Sequence, residues 1–99
     1  MKKQKSSSPS PIRVQMLETA ASLTSVDRQK VYGDAKTNMT HFAGLLTAYF
    51  APKGVEFSAE DAAMIMVLAK NSRIAVGRYH PDNYIDSAAY TAIAGECGA

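Results

Sequence analysis

Three groups of residues have the types and the spacing for chemistry. Lys70 and Arg73 stand three apart, so on a helix they point into neighbouring space. A guanidinium gives phosphate bidentate hydrogen bonds and an ammonium gives it a point charge, which reads as a phosphate clamp. The pair reads equally well as two long side chains that carry their charges out from the end of a buried helix. Asp82 and Asp86, with Asn83 between them, stand one helical turn apart. Two carboxylates so spaced can hold Mg²⁺, or they can pair with Lys70 and Arg73 in an ion-pair network. Tyr90 continues the Asp82–Asp86 stripe another turn on. The third group is Tyr32, Gly33 and Asp34 with Asn38. A helix start beside an aromatic ring can hold a phosphate or stack a base. The same residues also make a plain turn, a helix cap and an amide satisfied by backbone, and Asp34 as a cap would itself occupy the free N–H groups. His80 precedes Pro81 at a helix start, where it faces either a ligand or solvent. Neither it nor His41 falls in a zinc spacing. There is no nucleophile–base arrangement and no glycine-rich phosphate loop.

Helices must position these groups. Ile12, Met16, Ala20 and Leu23 recur at helical spacing from Ile12 to about Thr24, and a polar linker follows from Ser25 to Lys30. Asp34 caps a helix from Ala35 to about Phe50, ended by Pro52 and Gly54. Its apolar face holds Met39, Phe42, Leu45, Leu46, Tyr49 and Phe50, and Asn38 falls inside that face, where an amide needs partners. Ser58 and Asp61 form a capping box that opens a helix to about Val76, stopped by Gly77. The middle of that helix, Ala62 to Ala69, is apolar all round, as for a helix central in a bundle or covered by another subunit. The last helix starts at Pro81 and runs to about Ala94, capped by Gly95, with Ile85, Ala88, Ala89, Ala92 and Ile93 as its buried face. With short connections and no strand pattern, these elements predict an all-α fold: a four-helix antiparallel bundle over residues 12–99, completed by oligomerisation because so small a chain buries little by itself.

Composition bounds the function. The formal charge of +2 misleads, because three of the eleven Lys and Arg are Lys2, Lys3 and Lys5, leaving eight against nine Asp and Glu elsewhere. The folded part lacks the excess of basic residues of a duplex binder, so sequence-specific nucleic acid is not expected as a partner. Residues 1–11 are Lys, Ser and Pro with almost nothing to bury, which predicts a disordered tail. The basic start is not followed by the apolar stretch of a secretory signal, and Ala62 to Ala69 is far short of the ~20 residues that span a bilayer. Cys97 is the single cysteine, so nothing points to an oxidising compartment. A cytoplasmic protein with no membrane partner is expected.

Asp27–Asp34 (DRQKVYGD), Asn38, Ser58–Lys70 (SAEDAAMIMVLAK), Arg73 and His80–Tyr90 (HPDNYIDSAAY) together resemble a small domain of unknown function common in bacteriophage genomes. That family is similar to a nucleotide-modification-associated domain and to the all-α nucleoside-triphosphate pyrophosphatases of the MazG type, which hold Mg²⁺ over a triphosphate with acidic pairs on two adjacent helices. The resemblance implies a phosphorylated nucleotide as ligand in the host bacterial cytoplasm. It sets something like the second acidic pair at Asn83 and Asp86, with Asp82 close by. The first pair is not recognisable. Lys70 and Arg73 stand near where it would fall, and Glu60 and Asp61 lie nearly three turns earlier. Metal-assisted hydrolysis needs carboxylate to fix the ion and activate water, so this departure implies binding without efficient turnover.

The leading expectation is therefore a phage accessory protein that sequesters a nucleotide, a nucleotide immune signal being one form of it. Lys70 and Arg73 would hold phosphate. Tyr32, Asn38 and Tyr90 would contact base or sugar, with His80 and Asn83 alongside, and Asp82 and Asp86 would orient the cations or hold Mg²⁺. A Mg²⁺-dependent pyrophosphatase with Asp34, Asp82 and Asp86 as ligands is one alternative. A helical protein-interaction module without a small ligand is the other.

Overall fold

The computed structural model describes residues 10–99, with Val31 and Tyr32 described by their backbone alone. Most of the tail expected at 1–11 thus lies outside the described residues. Those described are helical throughout their regular structure, with no strand among them. The order is α1 (Ile12–Leu23), α2 (Val26–Tyr32), α3 (Ala35–Tyr49), a 3₁₀ turn at Ala51–Lys53, α4 (Ala59–Val76) and α5 (Pro81–Gly98).

The caps explain most of the boundaries. Asp34 Oδ2 accepts from the Thr37 N–H at 2.9 Å and from the Thr37 hydroxyl at 3.0 Å, which starts α3. Ser58 and Asp61 complete a reciprocal capping box at 2.9 and 3.0 Å, which starts α4. Between them, Thr47 Oγ1 accepts from the Phe57 N–H at 2.9 Å and ties the loop back onto α3.

Two boundaries differ from the sequence reading. The stretch expected as a polar linker contains α2, opened by the Ser25 hydroxyl accepting from the Arg28 N–H at 3.4 Å. Asp27 in its first turn and Lys30 in its last suit the helix dipole, and these local terms form a helix without an apolar stripe. The second difference is Gly95, expected as a cap, which lies inside α5. The last turn of α5 packs on the start of α4: a Cβ built on Gly98 would lie 2.7 Å from the Glu60 carboxylate. Packing carries the helix past a residue whose intrinsic cost is about 1 kcal/mol.

Helices α4 and α5 form an antiparallel hairpin. Glu60 neighbours Gly98 at one end, and nearer the other Asn71 accepts from the Ser87 hydroxyl at 2.9 Å. Helix α1 lies against α5 and α3 against α4, while α2 packs little on any of them. The buried residues are Ala20, Ala43, Ala62, Ala63, Val67, Ile85, Ala89 and Ala94, so the core is mostly alanine. Small side chains let α4 and α5 approach closely but bury little apolar area.

The apolar faces read from the sequence are only partly covered. Leu45 and Tyr49 on α3 are 57% and 79% exposed, and Ala92 on α5 is exposed. Leu68 on α4 is 62% exposed, so the middle of α4 is covered on one side only. Asn38 is exposed rather than enclosed in an apolar face, and Ala43 is the buried residue of α3.

Candidate functional site

A cleft of about 350 Å³ opens where the end of α1, the short α2 and the first turns of α3 meet the α4–α5 hairpin. Each element places a side chain there for a local reason. Gly33 sits at φ +90°, a backbone region open to glycine, and turns the chain from α2 into α3. A Cβ at Gly33 would lie 3.4 Å from the Asn38 amide nitrogen, so Asn38 packs against this corner at the rim. Gln29, on α2, donates its amide to the Thr24 carbonyl at 3.3 Å, which pins α2 to the end of α1 over the cleft. Arg28 lines the same opening.

The opposite wall belongs to the hairpin. Lys70 from α4 and Asp86 from α5 meet at 3.1 Å (Nζ–Oδ2), with side chains 16% and 32% exposed. The pair bridges the two helices and places a half-buried ammonium at the cleft. Tyr90, one turn beyond Asp86, joins it on the same face of α5. Leu23, Met39, Ala89 and Ile93 supply apolar lining. A mostly apolar hollow with a few convergent polar groups is the usual form of a small-ligand site, and an ammonium drawn partly out of water interacts more strongly with an anion than a solvated one does.

Of the residues singled out by sequence, Asn38, Lys70, Asp86 and Tyr90 come together in this cleft. Arg73, His80, Asp82 and Asn83 come together elsewhere, in an open hollow at the α4–α5 turn that Arg78 also lines. Lys70 and Arg73 stand three positions apart on α4, and each lines a different one of these hollows. The side chain of Tyr32 lies outside the described residues. Asp82 and Asp86 line separate hollows, and Asp86 is engaged by Lys70. Among the described residues no group of three or more His, Cys, Asp or Glu is placed to hold a metal ion. Asp34 spends its carboxylate on capping α3.

Arg28 and Gln29 escaped the sequence reading because they fell in a stretch taken as linker. The available signal was Ser25 followed by Asp27 and then Lys30, a capped seven-residue helix in miniature.

Residues 15–98 match a protein family described as a domain of unknown function, DUF6378. The chain belongs to that family. It is 40% identical over 78 residues to the Gene 55 protein of Mycobacterium phage L5, covering 79% of this chain and 49% of that protein. It is 35% identical over 75 residues to the Gene 55 protein of Mycobacterium phage D29, covering 76% of this chain and 48% of that protein. The chain spans about half the length of the curated relatives it matches. No solved structure matches it. Among the described residues no helix is long and apolar enough to cross a membrane.

Proposed function

We propose that this DUF6378 chain is a phage accessory protein of the host cytoplasm that binds a phosphorylated nucleotide in the α2–α5 cleft and holds it without hydrolysis. One observation carries the reading: Lys70, its side chain 16% exposed and its ammonium 3.1 Å from Asp86, lines a cleft of about 350 Å³ with apolar lining. Lys70 and Arg28 would meet phosphate, Tyr90 and the apolar lining would cover the base, and Asn38 would read a polar edge. Holding rather than cleaving is favoured because Asp86 is committed to Lys70 and Asp82 lies at the α4–α5 turn. The MazG-type pyrophosphatase reading needs those two acids on one metal.

The bundle is completed, in this proposal, by further copies of the chain. Leu17 at 59% and Leu68 at 62% exposure sit on helices whose other sides are packed, and large apolar side chains left in water favour association. That observation also keeps the interaction-module reading in play.

The test is a thermal-shift panel of mono-, tri- and cyclic nucleotides with and without Mg²⁺, with chromatography of the ligand afterwards. A ligand that binds only the folded chain raises Tm by mass action. A shift with intact ligand recovered, lost in Lys70→Met, is the expected result. Cleaved ligand would transfer the assignment to the pyrophosphatase. No shift with any nucleotide would overturn both and leave the interaction module.

A further inference from the structure

We infer that the cleft takes a nucleoside monophosphate in preference to a triphosphate or a cyclic dinucleotide, an inference that rests on the nucleotide reading above and names its ligand. Size is the first reason. At about 350 Å³ the cleft stands near the lower end of the ~300–1,000 Å³ typical of small-ligand sites. That suits one base, one sugar and one phosphate. A second nucleoside unit would have to lie outside the apolar lining, on open surface.

Charge is the second reason. The charged side chains of the lining are Arg28, Lys70 and Asp86, a net of one positive charge. A phosphate monoester carries about −1.5 to −2 at pH 7. One such group, arriving at Lys70, exchanges the Asp86 contact for its own and brings the cleft from one positive charge to about −0.5 to −1. A triphosphate carries far more charge. It would need more cations, or a metal ion shared between its phosphates and a free carboxylate, and Asp86, the one carboxylate in the lining, is engaged by Lys70. The further cations Arg73 and Arg78 line the hollow at the α4–α5 turn instead.

The lining is also divided as this ligand requires. The Lys70–Asp86 pair stands on the hairpin, while Leu23 and Met39 come from α1 and α3 and flank the end where a base would lie. A base between Met39 and Tyr90 gains apolar contact and stacking, and removing the base should lose it.

The experiment is calorimetric titration of the full chain with the common ribo- and deoxyribonucleoside 5′-monophosphates. Parent nucleosides, the matching triphosphates with and without Mg²⁺, a cyclic dinucleotide and inorganic phosphate serve as comparisons. At least one monophosphate should bind tenfold or more tighter than its nucleoside and its triphosphate. Lys70→Gln should remove that advantage. Arg28→Gln, at an exposed position, should reduce it about tenfold, the scale of a charge-assisted hydrogen bond, with an unchanged urea midpoint showing that the fold is kept. A triphosphate or cyclic dinucleotide that binds more tightly would overturn the inference and leave the nucleotide reading standing. Inorganic phosphate binding as tightly as the monophosphate would overturn it by showing that the base is not read. No binding by any of these ligands would overturn the inference and the nucleotide reading together.

Discussion

The cleft and the α4–α5 turn hold the same inventory of full charges, two cations and an acid. In the cleft these are Arg28, Lys70 and Asp86, and at the turn they are Arg73, Arg78 and Asp82. Their surroundings differ. Lys70 is drawn between two helices against an apolar lining, with 16% of its side chain exposed. Arg73, Arg78 and Asp82 all stand exposed, with His80 beside them. Exposed charges are screened by water and salt and contribute little to affinity or stability. A half-buried ammonium with a partner it can exchange is a site for an anion. The lesson is that charge type and spacing nominate both regions equally, and burial separates them.

The sharpest way to break that contrast is to remove its central group. Lys70→Met should reduce nucleotide affinity by about tenfold to a hundredfold, as expected for losing a charge-assisted hydrogen bond to phosphate, whereas Arg73→Met should stay within about twofold. Calorimetric titration of the two variants side by side decides it, and equal losses would erase the distinction between the regions. Gly33→Ala comes next. A side chain at φ +90° stores strain of order 1–3 kcal/mol, and relieving it would shift the α2–α3 corner beside Asn38. Urea denaturation should show a stability loss of that size, together with weaker ligand binding, because the corner that shapes the cleft has moved.

Asp34→Ala removes the α3 cap and should cost about 1 kcal/mol, seen as a lower Tm. Since Asp34 holds no ligand in the proposed arrangement, affinity measured well below the Tm should fall by much less than in Lys70→Met. A loss as large as that of Lys70→Met would return Asp34 to the site and favour the metal-dependent reading. The smallest effect belongs to the turn. Asp82→Ala should change affinity by less than about twofold and stability by less than about 0.5 kcal/mol, as exposed substitutions usually do. A large loss there would make the turn, not the cleft, the functional region.

The sequence by itself determined α1, α3, α4 and α5 and several of their ends, but not α2. Asp34 and Ser58 are caps whose partners lie three residues away, so local chemistry decides them. It also nominated Lys70, Asp86, Tyr90 and Asn38 by residue type, and helical spacing alone puts Asp86 and Tyr90 on one stripe of α5. It did not determine that Arg73 and Asp82 stand apart from these, nor that Arg28 and Gln29 join them. Those placements depend on where α4 crosses α5 and on how α2 folds back over the end of α1, and both are set between helices distant in sequence. The same holds for the apolar faces. Periodicity says which side of a helix is apolar, but only the tertiary structure decides which part of it is covered. In a chain whose core is largely alanine, that leaves Leu17, Leu45 and Leu68 in water.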